Sequence, residues 1–326
     1  MKALEKIVTV RDRRFLFRVE SSPDPADYRK YEDLREEVWG FPDDHLSSPW
    51  NMQCENVLYD GGSLFIGAFA EAGGGGFGTD GRSLAGFCYG YVGVRDKEAG
   101  FRDPKNLRFF AQYAGVRKAC QSYGLGLLLK EFQREMVLGL LGISTIVCTY
   151  DPLTGVNARR NVHHFGMDIA DYVENTYGGY GGLLNRTDVP TDRFLMSWDL
   201  ERPAGRPARD DDPGAAGTAP PVIRAGLRRV AGKSGPVELE VVEGVDPGAG
   251  GDILLVRIPL DFYRMLQETD VADPAVRRIP LDWRLATRRA FQSLLARGYR
   301  AVDFRKAGPG DPANHYVLAR GGSPVR

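Results

Sequence analysis

The sequence predicts an α/β (α+β) chain in two parts, and three observations carry that prediction. Strand-like and helix-like apolar spacings alternate through the first two hundred residues. A stretch rich in Pro, Gly, Ala and Asp then interrupts the pattern at residues 201–221. Beyond it a shorter succession of strands and helices resumes. The expected organisation is a first domain at 1–200, a linker at 201–221 and a small α/β domain at 222–326. With 326 residues, 43% hydrophobic and 26% charged, the chain is long and apolar enough for two cores.

The elements follow in order. Residues 15–20 read as a strand, and Asp24-Pro25 opens a helix with Tyr31, Leu34, Val38 and Trp39 on one face. A polar stretch through Pro42, Pro49 and Trp50 reads as a surface loop. Residues 64–69 and 83–94 are strands joined by a glycine-rich connection at 73–81. Residues 107–116 form another strand. Leu125, Leu128, Phe132, Met136 and Leu140 then mark one face of a helix over 124–141, about 27 Å long at ~1.5 Å per residue, ended by Gly142. A strand at 145–150, a short helix at 157–164 and strands at 168–173 and 194–198 complete the first part. The second part reads as strands at 239–242 and 253–258, helices near 260–267 and 283–296, and strands at 300–304 and 315–319.

Lys+Arg and Asp+Glu balance at 43 each, which removes any bulk electrostatic reason for a nucleic-acid or anionic-membrane partner. Cys54, Cys88, Cys120 and Cys148 are widely spaced and form no Cys-x-x-Cys pair, so reduced thiols in a cytoplasmic protein are expected. The charged N-terminus lacks a signal-peptide stretch, and no run approaches the ~18 apolar residues that span a bilayer. No His, Cys and carboxylate spacing suggests a metal.

The unit that carries chemistry is a strand, a Gln-x-x-Gly-x-Gly loop and a long amphipathic helix. It comprises Val116, Gln121, Ser122, Tyr123, Gly124, Leu125, Gly126 and Leu127. Glycine lets backbone turn and approach a bound group closely. The first amides of a helix have no intrahelical acceptors, and the peptide dipoles place positive charge there, so an anion such as a diphosphate is favoured. A Rossmann fingerprint fails because Leu129 stands at its third glycine, and a Walker loop fails for want of Gly-Lys-Ser/Thr. Two glycines merely opening a helix remain the plain alternative.

Residues 116–126 resemble the acetyl-CoA signature of the GNAT superfamily of N-acyltransferases, in which Gln/Arg-x-x-Gly-x-Gly/Ala follows a strand-ending valine. The segments after it fall in family order. Residues 145–150 resemble the strand that splays from its neighbour to admit pantetheine, and Asn157 before Phe165-Gly166 resembles the second cofactor motif. Asp151-Pro152-Leu153, Asn157, Asn161, Pro190-Thr191-Asp192-Arg193 and Trp283-Arg284-Leu285-Ala286-Thr287-Arg288 resemble a bacterial GNAT subgroup with an added C-terminal domain.

The resemblance implies a mixed, mostly antiparallel sheet flanked by helices. It also implies acetyl-CoA or another acyl-CoA as co-substrate. Strand residues Ala114 and Val116 and the loop at 121–127 would hold it, together with Asn157. The expected partner is a small-molecule amine, with a homodimer as the expected assembly. Direct attack of the amine on the thioester needs proximity, a base and stabilised oxyanion charge. Lys118 replaces the usual proline. The usual tyrosine acid is missing: counted back from Gly166 its place holds Val162, and counted forward from Asn157 it holds His164. His163, His164, Tyr172 and Tyr177 are candidate acids, and Glu55 and His45 candidate bases. Arg193 reads either as a ligand for a substrate carboxylate or as the partner of an aspartate. Trp283, Arg284, Thr287 and Arg288 share a helical face suited to docking on the first domain or to walling an acceptor site. The alternative to an enzyme is a non-catalytic acyl-CoA-binding or regulatory module that lacks the acid and base.

Overall fold

A hairpin of β1 (Glu5–Val10) and β2 (Arg13–Val19) begins the chain, turning through Arg11 at φ 54°. In this computed structural model the described residues are 4–40, 48–58, 62–179, 181–202, 221–309 and 311–321. They pack as two compact units, one of residues 1–148 with 199–201, the other of 149–198 with 202–326.

In the first unit a 3-10 turn at Pro25–Tyr28, capped by Asp24, leads into α1 (Arg29–Trp39). Gly40 ends α1 in the left-handed region, as a C-terminal glycine does. The expected loop near Pro49 holds a short helix, α2 (Pro49–Gln53). Ser48 caps it, Pro49 occupies its first turn, and it runs into a wider turn at Cys54–Leu58. Then come β3 (Ser63–Ala70), β4 (Leu84–Val94) and β5 (Leu107–Val116). A 3-10 turn at Lys118–Tyr123 precedes α3 (Leu125–Met136), which continues as a wider turn to Leu141 and stops at left-handed Gly142. The strand β6 (Thr145–Tyr150) follows.

Strands β1 to β5 pair antiparallel in sequence order, and β6 joins β5 in parallel. The sheet is therefore mixed and mostly antiparallel. Alternation along β4 sorts its two faces. Phe87 and Tyr89 point towards Tyr28, Tyr31, Leu34 and Met52 of the α1 side. Gly86 and Cys88 meet α3: a Cβ on Gly86 would lie 3.1 Å from Leu129 Cδ1, and Cys88 Sγ is 3.8 Å from the Leu129 carbonyl. Leu125, Leu129, Phe132 and Met136 form the buried stripe of α3 that the 3.6-residue spacing requires.

The second unit contains α4 (Gly155–Ala158), extended through His164, and the antiparallel pair β7 (Asp168–Val173) and β8 (Arg193–Asp199). Strands β9 (Ile223–Gly232) and β10 (Gly235–Val245) make a two-stranded ribbon. Next are β11 (Ile253–Ile258), α5 (Phe262–Glu268), α6 (Pro274–Arg277), α7 (Ile279–Ala296), β12 (Tyr299–Arg305) and β13 (Asn314–Arg320), with sheet order β11-β13-β12. This division differs from the expected boundary at residue 200. The physical reason is a shared core: Phe194 packs edge-on against Phe291 and Tyr316 with centroids at 4.8 and 5.7 Å. The anticipated linker falls almost wholly on residues 203–220, outside the described residues. Among the described residues, no helix is long and apolar enough to cross a membrane.

Candidate active site

The loop after β5 is built by backbone. The Arg117 amide donates to the Ala85 carbonyl at 2.8 Å, tying the end of β5 to β4. Gln121 turns back, its Nε2 donating to the Val116 carbonyl at 3.2 Å. Gly124 then takes φ 68°, a left-handed conformation in which an L side chain is strained although a Cβ there would meet nothing. Its carbonyl accepts from Leu127 and Leu128 at 3.0 and 3.4 Å. The amides of Leu125 and Gly126 have no acceptor among the described residues, and no side chain caps the helix. These donors lie at the positive end of α3.

The flanking side chains divide by role. Leu125 is fully buried and anchors the turn, whereas Gln121, Ser122 and Gly124 are exposed. Tyr123 packs against Phe15 at 5.6 Å, with Arg11 and Arg13 over its ring at 5.9 and 5.2 Å. Its side chain is thus part of the hairpin packing, and its place in the loop is a backbone one. The arginines add positive charge beside the turn, although the chain as a whole is neutral.

Upstream, β5 carries an irregularity that periodicity does not reveal. Tyr89 pairs with Tyr113 and Gly90 with Ala111, so Gln112 is an extra residue with no partner on β4. On the other edge, among the described residues, β5 pairs with β6 at Phe109↔Ile146 and Phe110↔Val147. Residues 111–116, including Ala114 and Val116, therefore present an edge that β6 does not pair. That edge leads into the turn at Gly124.

Glu55 stands on the turn after α2. Its carboxylate accepts from the Tyr89 hydroxyl at 3.1 Å, and its carbonyl from Ser63 Oγ at 3.4 Å. Burial, and then the Glu55 charge, push the Tyr89 hydroxyl well above the ordinary tyrosine range, so it remains a donor at neutral pH. Tyr89 was not singled out by the sequence; its place opposite the irregular point of β5 depends on register. His45 lies outside the described residues.

The other candidates belong to the second unit. Asn157 is engaged locally, donating to Thr154 Oγ1 at 3.0 Å and accepting from Arg160 Nη2 at 2.9 Å. Val162 is fully buried. His163 bonds Asp303 at 2.7 Å, while His164 is exposed and meets Phe165 edge-on at 4.8 Å. Tyr172 is buried, donating to Asp192 Oδ2 at 2.8 Å, and burial followed by the Asp192 charge raises its pKa far above the ordinary value. A hydroxyl held in this way braces Asp192.

The motif residues of the second unit form one polar network. Arg284 grips Asp151 through Nη1–Oδ1 and Nη2–Oδ2 at 2.8 and 2.5 Å, with both residues buried. Arg193 reaches Asp151 at 3.4 Å. Arg288 clasps Asp192 through two nitrogens at 2.9 and 2.8 Å. Burial opposes ionisation of Asp151, but Arg284 and then Arg193 outweigh it and hold the carboxyl below its usual range. Asp192 is lowered despite burial by Arg288, the Asn175 amide and Tyr172. Tyr316 adds a hydroxyl donated to the Pro152 carbonyl at 2.9 Å. Arg193, Arg284 and Arg288 are thus partners of aspartates.

Among the described residues no cluster of three or more His, Cys, Asp or Glu could hold a metal. No protein-family model matches the chain, and no curated protein matches it. Solved structures similar to it include Arabidopsis thaliana NAA60 in complex with acetyl-CoA. That match has 13% identity and a TM-score of 0.42, covering 57% of this chain and 99% of the other. Spermidine/spermine N-acetyltransferase SpeG from Vibrio cholerae is similar at 12% identity and a TM-score of 0.37, covering 57% and 92%.

Proposed function

We propose that the chain is a GNAT-type N-acyltransferase that takes an acyl group from acetyl-CoA or another acyl-CoA and passes it to a small-molecule amine. The observation that carries this reading is that a strand edge left unpaired by β6 is continuous with backbone donors that lack acceptors. The edge of β5 at residues 111–116 runs directly into a turn whose Leu125 and Gly126 amides lack acceptors. An extended pantetheine pairs with such an edge as a strand would, and a diphosphate satisfies such amides. The residues present therefore fit the co-substrate.

Backbone donors beside Gln112 polarise the thioester carbonyl oxygen, where charge develops as the amine nitrogen bonds to its carbon. Glu55 receives the proton that the acceptor ammonium must lose first. The carbon–sulfur bond breaks, and the departing thiolate takes a proton from solvent. Tyr172 is committed to Asp192 and Val162 is sealed in the core, which supports a proton from solvent over one from either of these positions.

Those same two residues support the rival reading, a module that binds acyl-CoA without turning it over. Thiol release from acetyl-CoA, followed across a panel of amines and pH values, separates the two. The enzyme reading expects amine-dependent release that rises with pH until the amine is deprotonated. Silence with every amine, alongside intact acetyl-CoA binding, leaves the binding module.

A further inference from the structure

The α1 face of the first unit's sheet carries a row of rings running from the core to the surface. Phe65 and Tyr89 stack at 4.2 Å between centroids, and Tyr89 meets Tyr91 at 6.3 Å. Tyr91 meets its cross-strand partner Phe110 at 5.5 Å. Tyr113, the partner of Tyr89, has Trp39 edge-on at 5.5 Å. Tyr89 is buried, whereas Tyr91 is 39% exposed. The Glu55 carboxylate stands at the buried end, on the Tyr89 hydroxyl. The extra residue Gln112 interrupts β5 between Phe110 and Tyr113, within this row.

From this arrangement we infer that the row is the acceptor subsite, and that its acceptor is one primary ammonium on an aromatic or flat apolar body. The inference rests on the acyltransferase reading and adds the substrate class. Ring faces attract a cation through their quadrupoles and stack on a flat apolar body at the same time. A carboxylate at the inner end draws the ammonium in and orients it towards the irregular point of β5. An acceptor carrying its own carboxylate beside the amine meets repulsion from Glu55. A polyamine has no flat apolar body to stack on Tyr91 and Phe110, and each further ammonium must shed water there.

Calorimetric titration of the full chain, with CoA present, tests this using phenethylamine, spermidine and phenylalanine as probes. Phenethylamine is expected to bind at least about tenfold more tightly than either of the others. Tyr91→Ala and Glu55→Gln should each weaken it by about tenfold, the scale of one cation–π or charge contact. Acetyl-CoA affinity unchanged in Tyr91→Ala verifies that this variant is folded. Tighter binding of spermidine or phenylalanine, no saturable binding of phenethylamine, or an unaffected Tyr91→Ala overturns the inference while the acyltransferase reading stands. Absence of acetyl-CoA binding by the unaltered chain overturns both.

Discussion

At the residue scale, Gly124 and Gly126 do different work. Gly124 is required by its dihedral angle, since a left-handed φ of 68° strains any L side chain. Gly126 lies inside the first turn of α3, where other residues are accommodated more easily than glycine. Gly126→Glu should therefore leave thermal stability unchanged or slightly raised, yet set a carboxylate against the bound diphosphate. Acetyl-CoA affinity measured by calorimetry should fall by tenfold or more, and an unchanged affinity would place the diphosphate elsewhere. The two glycines were legible because Gln-x-x-Gly-x-Gly is a local pattern. The Glu55–Tyr89 pair was only half legible: Glu55 stood out as a carboxylate in a polar stretch, while Tyr89 depends on strand register. The hydrogen bond from Tyr172 to Asp192 was not legible, because sequence gives residue type without the partner, and this partner lies twenty residues away.

At the element scale, α7 is fixed to the chain near β6 and β8 by buried charge. Removing one partner of a buried pair leaves the other uncompensated, at a cost of about 3–5 kcal/mol, whereas replacing both by apolar groups is far milder. Arg284→Met should accordingly lower stability by about that amount, and Asp151→Leu combined with Arg284→Met should recover part of the loss in chemical denaturation. Equal destabilisation by the single and double variants would contradict the pairing. The sign with pH follows from Asp151 and Asp192, whose folded carboxyls are held below the usual range. Their contribution is complete above the unfolded value of about 3.9 and is lost as pH falls towards the depressed folded values. Stability measured against pH should drop below about pH 4, less steeply in the double variant. Long elements were legible because α3 and α7 repeat their apolar positions over several turns. The strands β1 and β9 were not anticipated, since their exposed faces carry charged residues that blur the two-residue alternation.

At the scale of the whole molecule, the Pro- and Gly-rich stretch suggests a boundary near residue 200, while residues 149–198 pack with the C-terminal residues as one compact unit. A linker marks where the chain is irregular; the core follows where Phe194, Phe291 and Tyr316 meet. A fragment ending at residue 200 would expose Asp151, Asp192 and Phe194 without Arg284, Arg288 and Phe291. It should fail to show a cooperative unfolding transition by circular dichroism, and a sharp transition from that fragment would restore the expected boundary.

The central claim concerns α3 and the strand before it, and titration of acetyl-CoA into the full chain tests it most directly. A single saturable event with competition by CoA is the predicted result. No saturable heat at millimolar acetyl-CoA would mean that the open β5 edge and the unpartnered amides of Leu125 and Gly126 serve something else.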